Sequence, residues 1–268
     1  MIIIVESGAT KTDWCAIRDN GDIKKLRTEG QNVSVMSSGN LDATSQKAIM
    51  ALNPDKEYIK AMHFYVAGLI KPRTIGGVEY VSDLLGAARA VCGRESGIAA
   101  ILGTGSNSCY YDGTTIVKNI RSGGYILGDE GSAAHLGLMF LSDFLKDGVP
   151  SEMADAFSKQ YDSDYQSIVA SVYKSDAPSR YLGSLAPWIM EWYGKDEYAT
   201  NLIRSNFKSF IERALLKYDI DKYPVGVVGG FGYAHRDILT DVATPYGIKI
   251  SEVIEAPIDG LVKYHSND

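Results

Sequence analysis

The chain is 268 residues long, enough for one large domain or two modest ones. With 45% hydrophobic residues, 22% charged residues and a formal net charge of −6, it reads as an ordinary globular protein without a broad basic surface for nucleic acid. No apolar run approaches the roughly 18 residues of a membrane span, and Cys15, Cys92 and Cys109 follow no metal or disulfide spacing, as expected of reduced thiols in the cytoplasm.

Met1–Val5 is an unbroken apolar run, too short and without the basic flank for a signal peptide, and reads as a first strand. Glu6-Ser7-Gly8-Ala9-Thr10-Lys11-Thr12 follows as a turn, then a second strand over Asp13–Arg18. An Asp19-Asn20-Gly21 hairpin leads to a third strand over Asp22–Leu26. Asn32 lies in a polar turn that asparagine favours on local grounds alone. A helix is expected over Leu41–Leu52, ended by Pro54, and a strand over Ala61–Leu69, in which His63 reads as a structural histidine. Val78–Val81 reads as a short strand and Leu84–Val91 as a helix, with Ser82-Asp83 between them. An acid at the carboxyl end of a parallel strand is well placed for chemistry, and Ser or Asp is equally an ordinary helix cap.

Ile98–Leu102 is a second buried strand that stops at Gly103 and runs into Thr104-Gly105-Ser106-Asn107-Ser108. Glycine lets backbone approach a ligand, and the hydroxyls and freed N–H groups are donors suited to an anion such as phosphate. Cys109–Tyr111, an Asp112-Gly113 turn and Thr114–Lys118 complete the same order of pieces that opens the chain, which points to an internal duplication. Gly123 to Gly131 then places four glycines in nine residues around the adjacent Asp129 and Glu130. That pair suits magnesium or sugar hydroxyls, while Asp129 or Ser132 would also cap the helix expected over Ala133–Leu145.

From Ser151 to Tyr218 the pattern is helical, with an apolar stripe through Tyr198, Leu202, Ile203, Phe207, Phe210, Ile211, Ala214 and Leu215 that reads as core. Trp188 and Trp192 read as packing. Pro224–Gly230 is a buried strand ending in paired glycines, which allow close approach of a nucleotide. A helix over Tyr233–Ala243, a strand over Ile248–Ile254 and a terminal helix over Pro257–His265 follow. No low-complexity linker separates the halves, which suggests lobes sharing a hinge.

Four motifs, Glu6–Thr12, Gly103–Asn107, Gly128-Asp129-Glu130-Gly131-Ser132 and Val228-Gly229-Gly230, together resemble the BadF/BadG/BcrA/BcrD-type ATPases. Within them the chain is similar to the N-acetylglucosamine kinase-like proteins of the actin/hexokinase/Hsp70 superfamily, in order and over essentially its whole length. The resemblance implies an α/β fold of two ribonuclease H-like lobes, residues 1–95 and 96–255, with helix 256–268 packing back on the first and ATP with magnesium between them. It implies Asp83 as general base and Asn32, Ser106, Asn107, Gly124 and Asp129 on the sugar side. It places Gly8, Thr10, Lys11, Thr12, Gly103, Thr104, Gly105, Gly229 and Gly230 on the nucleotide side, and Glu6 and Asp129 on the metal through water.

The implied activity is phosphorylation of an amino sugar, foremost N-acetylglucosamine at its 6-position, by a cytoplasmic enzyme with no nucleic-acid or membrane partner, and the homodimers that related kinases often form are the expected partner state. Two departures stand out: Glu6 replaces the superfamily's usual Asp, and Gly68–Val78 is shorter than the corresponding sugar-side segment of related kinases. Two rivals remain in view. One is an ATP-driven activator protein, which would carry an iron–sulfur cluster on cysteines; the other is a sugar-sensing homologue without turnover.

Overall fold

The computed structural model describes residues 1–8, 11–30, 43–69 and 71–266. The chain opens with β1 (Ile2–Ser7), β2 (Lys11–Ile17), β3 (Ile23–Glu29) and α1 (Ala43–Leu52). It continues through β4 (Ala61–Val66), β5 (Arg73–Ile75), β6 (Val78–Ser82) and α2 (Asp83–Cys92). The second half brings β7 (Gly97–Leu102), β8 (Ser106–Tyr111), β9 (Ile116–Ile120), α3 (Gly124–Leu127) and α4 (Ala133–Phe144). Five helices follow: α5 (Ser151–Gln160), α6 (Tyr165–Tyr173), α7 (Pro178–Ser184), α8 (Ala186–Met190) and α9 (Glu197–Arg213). The chain closes with β10 (Val225–Val228), α10 (Gly230–Ala234), α11 (Arg236–Ala243), β11 (Ile250–Ile254) and α12 (Ile258–His265).

These elements form two compact units, one of residues 1–99, 109–118 and 256–268, the other of residues 100–108 and 119–255. The first contains a six-stranded sheet in the order β3-β2-β1-β4-β6-β5. Its central strands β1 and β4 are mostly apolar because both faces are covered. Ile3, Val5, Trp14 and Phe64 pack toward Ala48 and Leu52 of α1. Ile4, Cys15, Tyr65 and Val81 pack toward Ile258, Leu261 and Val262 of α12. In the parallel register Ser7 pairs with Val66, and Val66 with Ser82. Glu6 and Asp83, each next to one of those residues, therefore emerge at the same end of the sheet.

The second sheet runs β11-β10-β7-β8-β9. Matching β7, β8 and β9 to β1, β2 and β3 puts β10 in the place of β4 and β11 in that of β6, so the fold is α/β with a duplicated sheet order. The apolar stripe of α9 is core, with Leu202, Ile203, Phe207, Phe210 and Ile211 buried. Trp188 sits among Phe140, Phe157 and Tyr161.

The strand expected over Ala61–Leu69, with its exit at Gly68, is extended through Val66, and the chain turns at Gly68 with φ +77°. One expectation needs correction. The single helix expected over Tyr233–Ala243 is two helices, interrupted at His235, whose backbone (φ −120°, ψ 26°) leaves helical geometry while its ring packs edge-on against Phe231.

Candidate functional site

In the first unit the candidate side chains lie beside the β1–β2 turn and at the start of α2. Gly8 N–H donates to the Lys11 carbonyl at 2.9 Å, and the buried hydroxyls of Ser7 and Thr12 meet at 3.1 Å, so the Thr12 side chain is engaged in holding the hairpin. Ser82 caps α2, its Oγ accepting from Leu85 N–H at 3.2 Å, and Asp83 Oδ1 accepts from Leu84 N–H at 2.9 Å. Cap and candidate acid are thus adjacent residues. Asp83 is half-buried, and desolvation pushes its carboxyl up to about 6 against the opposing hydrogen bond from Leu84.

Glu6 is raised further, to about 7. Burial is the main cause, and the neighbouring negative charges of Asp83 and Asp13 add to it, with Lys11 and Arg27 opposing. Asp13 itself is neutralised by Arg27, whose Nε donates to Oδ1 at 2.6 Å, while Lys11 Nζ stands 3.8 Å from Oδ2. Among the described residues no direct ion pair of this kind meets Glu6 or Asp83.

In the second unit three motifs spread over more than a hundred residues converge at the end of β7. Gly103 N–H donates to the Gly105 carbonyl at 2.9 Å, and the carbonyls of Gly103 and Thr104 accept from Ala133 and Ala134 at the start of α4, both at 3.0 Å. The glycine turn is thereby fixed on α4. Asp129, buried and held at φ +56°, accepts from Ser106 N–H at 3.3 Å. Burial raises its carboxyl, while the Ser106 and Ser122 hydrogen bonds oppose. A Cβ on Gly105 would stand 3.0 Å from Asp129 Oδ2. Gly229, at φ +130°, comes closer still: a Cβ there would stand 2.4 Å from the Leu102 carbonyl oxygen. Only glycine fits that position.

Asn107 is oriented by Asn119, whose Nδ2 donates to its Oδ1 at 2.8 Å. A pocket of about 110 Å³ opens beside it, lined by Ser106, Asn107, Ser122, Leu127, Glu130 and Arg213 among others. Gly124 lies at φ +74° at the start of α3. Glu130, read from sequence as one of a ligand-facing pair, is instead bound to Arg213 at 2.7 Å.

Sequence reading missed Asn206. It is fully buried, accepts from Gly131 N–H at 3.0 Å and from His135 Nδ1 at 2.7 Å, and donates to the Ser132 carbonyl at 3.1 Å. It pins the Gly128–Ser132 loop. Its signal was a polar side chain between Ile203 and Phe207 on an otherwise apolar stripe. Thr10 and Asn32 lie outside the described residues.

No described cysteine is in a disulfide; burial pushes Cys15 up to about 11 and Cys109 up to about 12, so both stay thiols rather than thiolate ligands. Among the described residues no group of three or more His, Cys, Asp or Glu side chains is placed to hold a metal ion. No helix there is long and apolar enough to cross a membrane.

Duplicated sheets, each with a glycine or hydroxyl turn after its first strand, define an actin-like ATPase fold. No family model and no curated protein matches the chain. Solved structures do. A Porphyromonas gingivalis protein described as a candidate N-acetylglucosamine kinase is 33% identical, with all of this chain and 99% of that one covered and a TM-score of 0.89. A protein from Chromobacterium violaceum with the same description shares the fold at 19% identity, 98% coverage of both chains and a TM-score of 0.75. A Streptomyces griseus ROK-family glucokinase, solved with glucose and AMPPNP, shares it at 15% identity, 99% and 98% coverage and a TM-score of 0.53. The chain belongs to the N-acetylglucosamine kinase-like family.

Proposed function

We propose that this protein is a sugar kinase that transfers the γ-phosphoryl group of ATP to a hydroxyl of an amino sugar, foremost the 6-hydroxyl of N-acetylglucosamine. The observation that carries the reading is Asp83, a carboxylate raised to about 6 at the start of α2 and at the same sheet end as Glu6. Such a group is ionised at neutral pH yet basic enough to accept the hydroxyl proton as the oxygen attacks phosphorus. Membership in a family with a P. gingivalis candidate N-acetylglucosamine kinase supports the substrate class, and the AMPPNP bound to the S. griseus glucokinase supports ATP as donor.

Gly8, Thr10 and Lys11, with Thr12 through its backbone, and Gly103, Thr104 and Gly105 are assigned to the phosphates. Gly229 and Gly230 leave room for the adenosine. Ser106, Asn107, Gly124, Asp129 and Asn32 hold the sugar, with Asp129 oriented by Ser106 N–H.

Glu6 and Asp83 repel one another, a donor set that a divalent cation relieves. With no protein cage among the described residues, the residues fit a magnesium ion that keeps most of its water and leans on nucleotide oxygens, with Glu6 or Asp129 contacting its water shell. Bound there, magnesium would neutralise charge on the phosphates.

The test is ADP release from magnesium-ATP against a panel of amino and neutral hexoses, with Asp83→Asn alongside. Strong stimulation by N-acetylglucosamine, cut by about 10²–10⁴-fold in the variant with ATP binding retained, is expected. A flat panel with slow, sugar-independent hydrolysis would refute the assignment. Loss of ATP binding together with turnover would make Asp83 a structural residue.

A further inference from the structure

Helix α2, which begins with Asp83, is held from two sides within the first unit. On the sheet side Gly86 lies against Tyr65 of β4, where a Cβ would stand 2.8 Å from the ring. On the other side Gly260 of α12 abuts Ala90, where a Cβ would stand 2.5 Å from the carbonyl oxygen. Both glycines permit contact that no other residue allows without moving a helix.

A polar cluster joins these contacts. Arg89 Nη1 donates to the Tyr65 hydroxyl oxygen at 2.9 Å, and that oxygen lies 2.7 Å from His265 Nε2. A guanidinium has donors only, so the Tyr65 oxygen accepts from Arg89 while it also bonds His265 Nε2. Around this line Arg89 stands 3.6 Å from Glu79 and over the Tyr264 ring at 5.2 Å. His63 bonds Glu79 at 2.7 Å and stacks on His265 at 4.0 Å. The Tyr65 oxygen thus bridges Arg89 of α2 and His265 of α12, beside the direct contacts of Gly260 with Ala90 and of Arg89 with Tyr264.

We propose that Tyr65 is a positioning residue: its hydroxyl, shared between Arg89 and His265, lets the C-terminal helix set the height and rotation of α2 and with them the place of Asp83. The inference rests on the reading of Asp83 as the base. Small displacements of a catalytic group are costly, since about 1 Å can cost roughly 10²-fold in rate.

Tyr65→Phe removes one oxygen and keeps the ring against Gly86. In the full-length protein, with magnesium-ATP and N-acetylglucosamine, kcat is expected to fall about tenfold while both KM values stay within about twofold. The acid midpoint of kcat should move down, because a looser α2 admits water to Asp83 and relieves its desolvation. Arg89→Lys keeps the charge and loses the planar fork; it should act in the same direction, and it decides the matter if Tyr65→Phe does not fold. A lower melting temperature with kcat and the acid midpoint unchanged would overturn the proposal. Asp83→Asn measured alongside separates the two levels. If Asp83→Asn keeps its turnover, the base reading fails; an inactive Asp83→Asn beside a wild-type-like Tyr65→Phe sinks only the positioning role.

Discussion

Replacing Glu6 by Gln should stabilise the ligand-free protein, and increasingly so as pH rises. In the folded state the Glu6 carboxyl holds its proton up to about 7, against an ordinary value of 4.5. Below 4.5 both folded and unfolded chains carry that proton and the burial costs nothing. As pH rises from there to about 7, the unfolded chain releases its proton first, so the folded state loses stability; above that the full penalty stands. At 1.36 kcal/mol per pH unit the interval corresponds to roughly 3 kcal/mol, which the partial exposure of Glu6 reduces to about 1–3 kcal/mol.

Glutamine has nearly the same shape and cannot ionise. Urea unfolding without nucleotide or magnesium, at pH 5 and pH 8, measures the effect. The stability gained by Glu6→Gln should be larger at pH 8 by that amount. A gain independent of pH, or one that shrinks toward pH 8, would refute the claim that a buried carboxylate is paying a desolvation cost here. Any hydrogen bond that the amide changes adds equally at both pH values and cancels.

Other outcomes follow from the same geometry. With Asp83 raised to about 6, kcat should fall about tenfold per unit below that pH, and the residual rate of Asp83→Asn should be flat across the same range, read from pH–rate profiles. Gly229→Ala places a Cβ 2.4 Å from a backbone oxygen at φ +130°, so it should lower stability by about 3 kcal/mol or raise KM for ATP at least about tenfold; calorimetry and ATP titration showing neither would refute the close packing. Asn206→Ala strands Gly131 N–H and the Ser132 carbonyl in a buried site and should cost about 2–4 kcal/mol while raising KM for the sugar more than for ATP; a loss under about 1 kcal/mol would refute it. Tyr65→Phe completes the set.

Much of the architecture was legible from local pattern. The two strand–turn–hairpin units, the buried strand before Gly229 and the apolar stripe of α9 all depend on short-range chemistry: side-chain period, turn residues and glycine placement. Ser82 was legible as a cap for the same reason, and Asp83 as a candidate acid because it follows a strand end. Less legible was the fate of Glu130, since its partner Arg213 lies far along the chain. The break at His235 was invisible as well, because nothing in Tyr233–Ala243 is a helix breaker and tertiary packing decides it.

By itself, then, the sequence determined which residue types stand at which strand ends, and with them the fold class and the motifs of the family. The tertiary structure alone decided their chemistry. Burial raises the carboxyls of both Glu6 and Asp83, and for Glu6 the charges of Asp83 and Asp13 add to it. Asn206 reaches Gly131 across 75 residues, and Tyr65 reaches His265 across 200. Ionisation and hydrogen bonding respond to what surrounds a group in space, and only the folded chain brings those surroundings together.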